Sequence, residues 1–304
     1  MQLSKLKVHG ALLTVGLIYG ANYSIAKSLM PGFIGPNGFI LLRIAGALLF
    51  FLIAQGLWVK ETIKDRKDYL KLAVCAFFGV ATNMLCFFNG LALTSPVNAS
   101  VIMTVNPVLV LLFSVLITKE AVGVHRVMGI ILGMAGAILQ ILDPFGMSKA
   151  IAGINWEGDL FILINAASYA VYLVLVKPLM VKYHAMTVVK WTFIFGLIMV
   201  LPFGWNEFVA APWHAVDFSI VLRLSFVVLA TTFVAYLLNA WTLRYVSSSV
   251  VGSYIFLQPV LASFIAVFIG GYPFNLTMLL YAGMIFAGVY LVSFVKNKPA
   301  INNG

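Results

Sequence analysis

Long apolar runs, separated by short polar or Pro/Gly-bearing turns, fill almost the whole chain. A membrane-crossing helix takes about 20 apolar residues. Runs of that kind occur near Val8–Ser28, Asn37–Trp58, Leu70–Gly90, Val97–Thr118 and Val127–Leu142. Others follow near Leu160–Leu179, Val188–Trp205, Phe218–Leu243, Val250–Gly270 and Thr277–Val295. Each is too long and too uniformly apolar for an outer-membrane barrel strand, which alternates at period two. The pattern predicts an all-α polytopic membrane protein of ten transmembrane helices. The first run follows Lys5 and Lys7 as a signal peptide would, but it exceeds a typical h-region and is read as a retained span.

Composition excludes the competing classes. Of 304 residues, 62% are hydrophobic and only 9% charged, against roughly 25% charged in a soluble domain. Disorder, a coiled coil and a water-soluble globule are ruled out, and no length remains for a sizeable soluble domain. Two cysteines do not make a disulfide scaffold or a multi-cysteine metal cluster.

The net charge of +10 becomes a topology signal once the spans are placed. With the N terminus cytoplasmic, every Lys and Arg except Lys27, Arg43, Lys149 and Arg223 falls on the cytoplasmic side. Asp143, Glu157, Asp159, Glu207 and Asp217 fall on the other. Cytoplasmic loops collect Lys and Arg, so both termini are expected in the cytoplasm, and no nucleic-acid partner is expected.

The chain repeats itself at a spacing of about 150 residues, a period that marks duplicated architecture. Lys27-Ser28-Leu29-Met30 matches Lys177-Pro178-Leu179-Met180, and Tyr19 matches Tyr169. Asn106-Pro107-Val108-Leu109 resembles Gln258-Pro259-Val260-Leu261, and Gly136 corresponds to Gly288. The expected units are residues 1–145 and 146–304, with five spans each. Five is odd, so the second unit enters the membrane from the opposite side. Inverted repeats of this kind characterise secondary transporters, with the substrate between the halves near the midplane.

Polar residues inside the spans supply the candidate chemistry. Pro107 and Pro259 each remove a backbone donor and crowd the carbonyl four residues earlier, that of Met103 or Ile255. They are the expected helix kinks. The carboxamide before each, Asn106 or Gln258, either lines a polar cavity or caps local backbone. Polar groups gather in spans one, three, four, six, eight and nine. The candidate substrate-binding residues there are Asn22, Tyr23, Asn83, Thr104 and Asn106 from the first half. Tyr169, Tyr172, Tyr236, Tyr254 and Gln258 come from the second. Arg43, within span two, completes the set. An intramembrane charge is costly and faces a cavity or a partner. Arg43 either attracts a substrate carboxylate or phosphate, or it bonds helix-end carbonyls or snorkels outward. Lys27 and Lys177, at span ends, are expected to snorkel.

Absences complete the reading. No Asp or Glu lies at the centre of a span, so coupling through a midplane carboxylate is not expected. Gly16/Gly20 and Gly129/Gly133 form GxxxG pairs, expected to pack within the monomer. Cys75 and Cys86 are read as small core residues. His9, His125, His184 and His214 are isolated. No catalytic residue, metal ligand set or cofactor is expected.

Two five-span copies, the run Tyr19-Gly20-Ala21-Asn22-Tyr23…Lys27 and Arg43 resemble the drug/metabolite transporter superfamily. Asn106-Pro107-Val108…Lys119-Glu120…Gly129…Gly136 resembles the span-four-to-five signature of its EamA family. The chain departs from that family at Tyr19, where tryptophan is frequent, and at Gly270-Gly271-Tyr272-Pro273, which lacks the turn acid seen at Glu120. The resemblance implies a ten-helix fold with a central cavity and transport, often export, of small metabolites such as amino acids. The expected function is therefore secondary transport by alternating access in a prokaryotic inner membrane. The expected partners are a small-molecule substrate and the lipid bilayer, with a monomer as default and a homodimer as alternative. An intramembrane enzyme and a non-transporting receptor or assembly factor are the competing readings.

Overall fold

A computed structural model of the chain describes residues 2–30, 32–119, 122–152, 155–261 and 276–294. Among the described residues there are helices and no strands. Helix α1 spans Gln2–Leu29 and α2 Pro36–Trp58. Helix α3 spans Arg66–Leu93, and α4 joins Pro96–Met103 to Asn106–Thr118. Helix α5 covers Val124–Ala152, running on past Leu142, where the apolar run ends. Helices α6, α7 and α8 follow at Trp156–Lys182, Ala185–Ala210 and Phe218–Thr242. Helix α9 spans Ser248–Leu261 and α10 Leu276–Ser293.

By length and hydropathy, α2, α3, α4, α6, α7 and α8 are able to cross a membrane. Shorter apolar stretches lie at Val124–Leu139, Ser248–Leu261 and Leu279–Ser293. The molecule is arranged for lipid. Leu49, Leu52, Ile53, Ile198, Leu201 and Phe203 are exposed, whereas Arg43, Asn165, Thr231 and Thr232 are buried. In water such a surface would be an aggregation patch; in a bilayer it is the solvent-compatible face.

Local chemistry sets the helix starts. Asp65, Asn155, Asp217 and Ser247 accept from the backbone amides of Lys67, Gly158, Ile220 and Val250 and so cap α3, α6, α8 and α9. Helix α2 starts at Pro36, and the distant Glu207 carboxylate accepts from the amides of Asn37 (2.7 Å) and Gly38 (3.0 Å). That carboxylate does the work of a cap from another helix.

Four helices deviate from regular α geometry, in two matched pairs. Both α3 and α8 contain π-helical segments, Phe77–Thr82 and Phe226–Val234. Helix α4 is interrupted by a turn at Thr104 and Val105, just before Asn106-Pro107. Helix α9 tightens to a 3₁₀ turn at Tyr254–Phe256, just before Gln258-Pro259. The i→i−3 bonds Thr104 to Val101 and Val105 to Ile102 (both 3.0 Å) show the tightening in α4.

Contacts between the halves also come in pairs. Helix α3 packs on α6 and α7, while α8 packs on α1 and α2. Helices α2, α4 and α5 each pack on their own counterparts α7, α9 and α10. The α5–α10 contact brings backbones close together. A Cβ added to Gly288 would stand 2.6 Å from the Gly129 carbonyl oxygen and the Gly133 nitrogen. The Gly129/Gly133 pair is thus filled by the chain's own α10. Glu120 and Gly270-Gly271-Tyr272-Pro273 lie outside the described residues.

Candidate functional site

A cavity of about 600 Å³, its open mouth included, lies where the two halves meet. Helix α1 contributes Tyr19, Asn22 and Tyr23, and α2 contributes Arg43. Helix α3 supplies Asn83, Met84, Phe87 and Phe88, directly after its π segment, and α4 supplies Met103 at its interruption. From the second half come Asn165 and Tyr169 of α6, Tyr236 of α8, and Ile255 and Gln258 of α9.

Of the residues singled out in the sequence, Asn22, Tyr23, Arg43, Asn83, Tyr169, Tyr236 and Gln258 line this cavity. The others lie off it. Asn106 donates to the Ala166 carbonyl of α6 at 2.7 Å. Thr104 turns its hydroxyl back to the Val101 carbonyl at 2.7 Å. Tyr172 stacks behind Tyr169, ring centroids 6.0 Å apart. Tyr254 meets Nδ1 of His9 at 2.6 Å. Pro107 and Pro259 lie just beyond the α4 and α9 irregularities. Sequence reasoning missed Tyr19 and Asn165 as lining residues. Helical spacing held the signal, since Tyr19 lies three and four residues from Asn22 and Tyr23, and Asn165 four from Tyr169.

Arg43 is 3% exposed and neither snorkels nor bonds a helix end. Its Nε donates to the Thr232 hydroxyl at 3.0 Å, and a terminal nitrogen lies 3.5 Å from the Thr231 hydroxyl. The guanidinium lies over the Phe88 ring, 4.5 Å from its centroid, with Phe39 at 5.8 Å; both contacts are cation–π in kind. The α8 π segment makes this seat. Both threonine hydroxyls donate to the single carbonyl of Val227, at 2.6 and 2.7 Å, which leaves their lone pairs aimed at Arg43.

The α3 π segment is tied down from the other half. Ser168 donates to the Phe78 carbonyl at 2.6 Å, and the Tyr236 hydroxyl lies 3.2 Å from the Gly79 carbonyl oxygen. Asn165 donates to the Asn83 carbonyl at 2.7 Å. Asn239 reaches the Tyr169 hydroxyl at 3.2 Å. The buried Oδ1 atoms of Asn22, Asn106 and Asn165 meet no partner among the described residues.

Among the described residues no Asp or Glu lines the cavity. Asp159 takes hydrogen bonds from Thr94 and Asn98. Asp68 takes them from Lys71, Lys182 and Tyr183. Lys27 also departs from expectation. It donates to the carbonyls of Leu91 (2.6 Å) and Ala92 (3.1 Å) instead of reaching outward, because the end of α3 presents unpaired carbonyls beside it.

Comparison with known proteins gives this architecture a context. The model of the EamA-like transporter family matches twice, over residues 6–142 and 156–294. The chain is 24% identical to the uncharacterized transporter YyaM of Bacillus subtilis over 302 residues, 98% of this chain and 97% of that one. It is 24% identical to the uncharacterized inner membrane transporter YicL of Salmonella typhimurium, covering 86% of this chain and 85% of that one. A transporter of Archaeoglobus fulgidus is 27% identical over 80% of this chain and 82% of its own. A solved crystal structure shares the fold at a TM-score of 0.72 and 17% identity, covering 94% of this chain and 95% of that one.

Proposed function

This chain belongs to the EamA-like transporter family, and on that premise we propose that its cavity is the substrate site of a secondary transporter for a small metabolite such as an amino acid. One observation carries the reading: the cavity is lined jointly by the two segments that match the family, with Arg43 and Asn83 from one and Asn165, Tyr236 and Gln258 from the other. A site shared by two related halves is what rocking of one half on the other would expose alternately to the two sides. The paired π segments and paired α4 and α9 irregularities support two copies, 1–145 and 146–304, related as inverted five-helix repeats. The proposal includes ten spans with both termini cytoplasmic, in a prokaryotic inner membrane. Export is taken over from the family likeness. The lining holds no Asp or Glu, so the carrier works without a carboxylate proton relay, and it is read as a carrier and not an intramembrane enzyme.

The test is flux into proteoliposomes holding the purified protein. The panel contains labelled amino acids, cationic drugs and sugar nucleotides, each with and without a pH gradient. Saturable flux that drops about tenfold in Gln258→Ala and Tyr236→Phe, and is unchanged by the gradient, is the expected result. Flux untouched in both variants would move the site elsewhere, and strong acceleration by the gradient would contradict the reading without a carboxylate relay.

A further inference from the structure

Arg43 uses one edge of its guanidinium. A guanidinium has five N–H donors in a planar fork. The edge formed by Nε and the terminal nitrogen beside it faces Thr232 and Thr231. The remaining edge, with two parallel N–H bonds, has no acceptor among the described residues, although Arg43 lines the cavity. Two threonines are neutral, so they hold the group in place without cancelling its charge. Among the described residues no carboxylate pairs with it, whereas Asp68 has two lysine partners. A buried cation without a counter-ion is costly. The cost is offset when a ligand brings the missing anion.

We infer that the free edge of Arg43 is an anion subsite that takes the carboxylate of a small amphipathic molecule. The inference rests on the cavity being the transport site and narrows its substrate class. A planar carboxylate matches two parallel N–H donors, which a point charge would not require. The apolar body of the ligand lies against Phe87, Met84 and Ile255. Cationic amines without a carboxylate are excluded, because Arg43 repels them and no acid in the lining offsets that.

The charge can be read without knowing the substrate. Phe87→Cys, in a Cys75→Ala/Cys86→Ala background, places one thiol beside the ring under Arg43. Its conversion to a mixed disulfide, in which the thiolate displaces methanesulfinate, is timed with anionic sulfonatoethyl and cationic trimethylammonioethyl methanethiosulfonates, each corrected for its rate with a free thiol. Arg43 favours the anionic reagent by about tenfold. That preference vanishes in Arg43→Gln and survives in Arg43→Lys. Benzoate slows the reaction in the Arg43 protein, and benzylamine does not. Equal rates with both reagents, or protection by benzylamine alone, would overturn the anion subsite while leaving a transport cavity intact. A thiol that neither reagent reaches would instead overturn the cavity itself.

Discussion

Two buried charges in this molecule are treated in opposite ways. Asp68 lies near the start of α3 with its side chain fully enclosed, and three groups converge on it: Lys71 at 2.9 Å, the Tyr183 hydroxyl at 2.8 Å, and Lys182. The cluster joins α3 to α6 and the segment after it, and it leaves the carboxylate no unmet demand. Arg43 is likewise almost unexposed but has two hydroxyls and two aromatic faces and no carboxylate. A satisfied charge fixes helices. A charge left unsatisfied against a cavity is a cost that stability alone does not explain, and such costs concentrate where function requires them.

The largest separation of the two roles comes from removing both charges. Arg43→Met keeps the length of the side chain and removes its charge. Flux of carboxylate substrates falls on the order of 10- to 100-fold, the worth of one or two charge-assisted hydrogen bonds. The melting temperature in detergent stays level or rises, because an apolar group replaces an uncompensated ion. Asp68→Ala reverses the pattern. It lowers the melting temperature by on the order of 5 °C, since two ammonium groups and a phenol lose their shared acceptor, while flux per folded molecule is kept. A protein in which Arg43→Met melts early and Asp68→Ala does not would invert the comparison.

A smaller effect tests how Arg43 is held. Thr232→Val deletes the acceptor of its Nε, 3.0 Å away. Affinity for carboxylates falls about three- to tenfold, as expected for one lost hydrogen bond. Thr232→Ser restores it, which a mere packing defect would not allow. The double variant Thr232→Val/Arg43→Met shows no further loss in flux, because a positioning residue has nothing left to position.

Much of this was legible in the sequence, and the misses have physical causes. Polar residues at helical spacing picked out α1, α3, α4, α6, α8 and α9 as cavity helices, because a bilayer leaves few reasons for an asparagine at mid-span; α4 reaches the cavity through Met103 and not through its polar residues. Phe87, Met84 and Ile255 were illegible, since an apolar residue facing a cavity reads like one facing lipid. Asn106 and Gln258 occupy matching positions before their prolines, yet one is spent on the Ala166 carbonyl and the other faces the cavity. Their fates depend on which neighbour is nearest, which a pattern along one chain does not encode. The π segments were equally hidden. Nothing in Phe226–Val234 announces that Thr231 and Thr232 will share the Val227 carbonyl, yet that geometry aims Arg43.

The smallest effect sharpens the other half of the comparison. Tyr183→Phe removes one neutral donor from Asp68 and leaves both lysines and the ring in place. The loss is about 1 kcal/mol, because the carboxylate keeps its two cationic partners. Lys182 and Lys71 remain partly exposed, at 48% and 63%, so water screens any imbalance. The melting temperature therefore drops slightly, and less than for Asp68→Ala, with substrate affinity unchanged. If Tyr183→Phe instead weakened carboxylate binding, the Asp68 cluster would be coupled to the cavity through α3, and the two buried charges would be parts of one device.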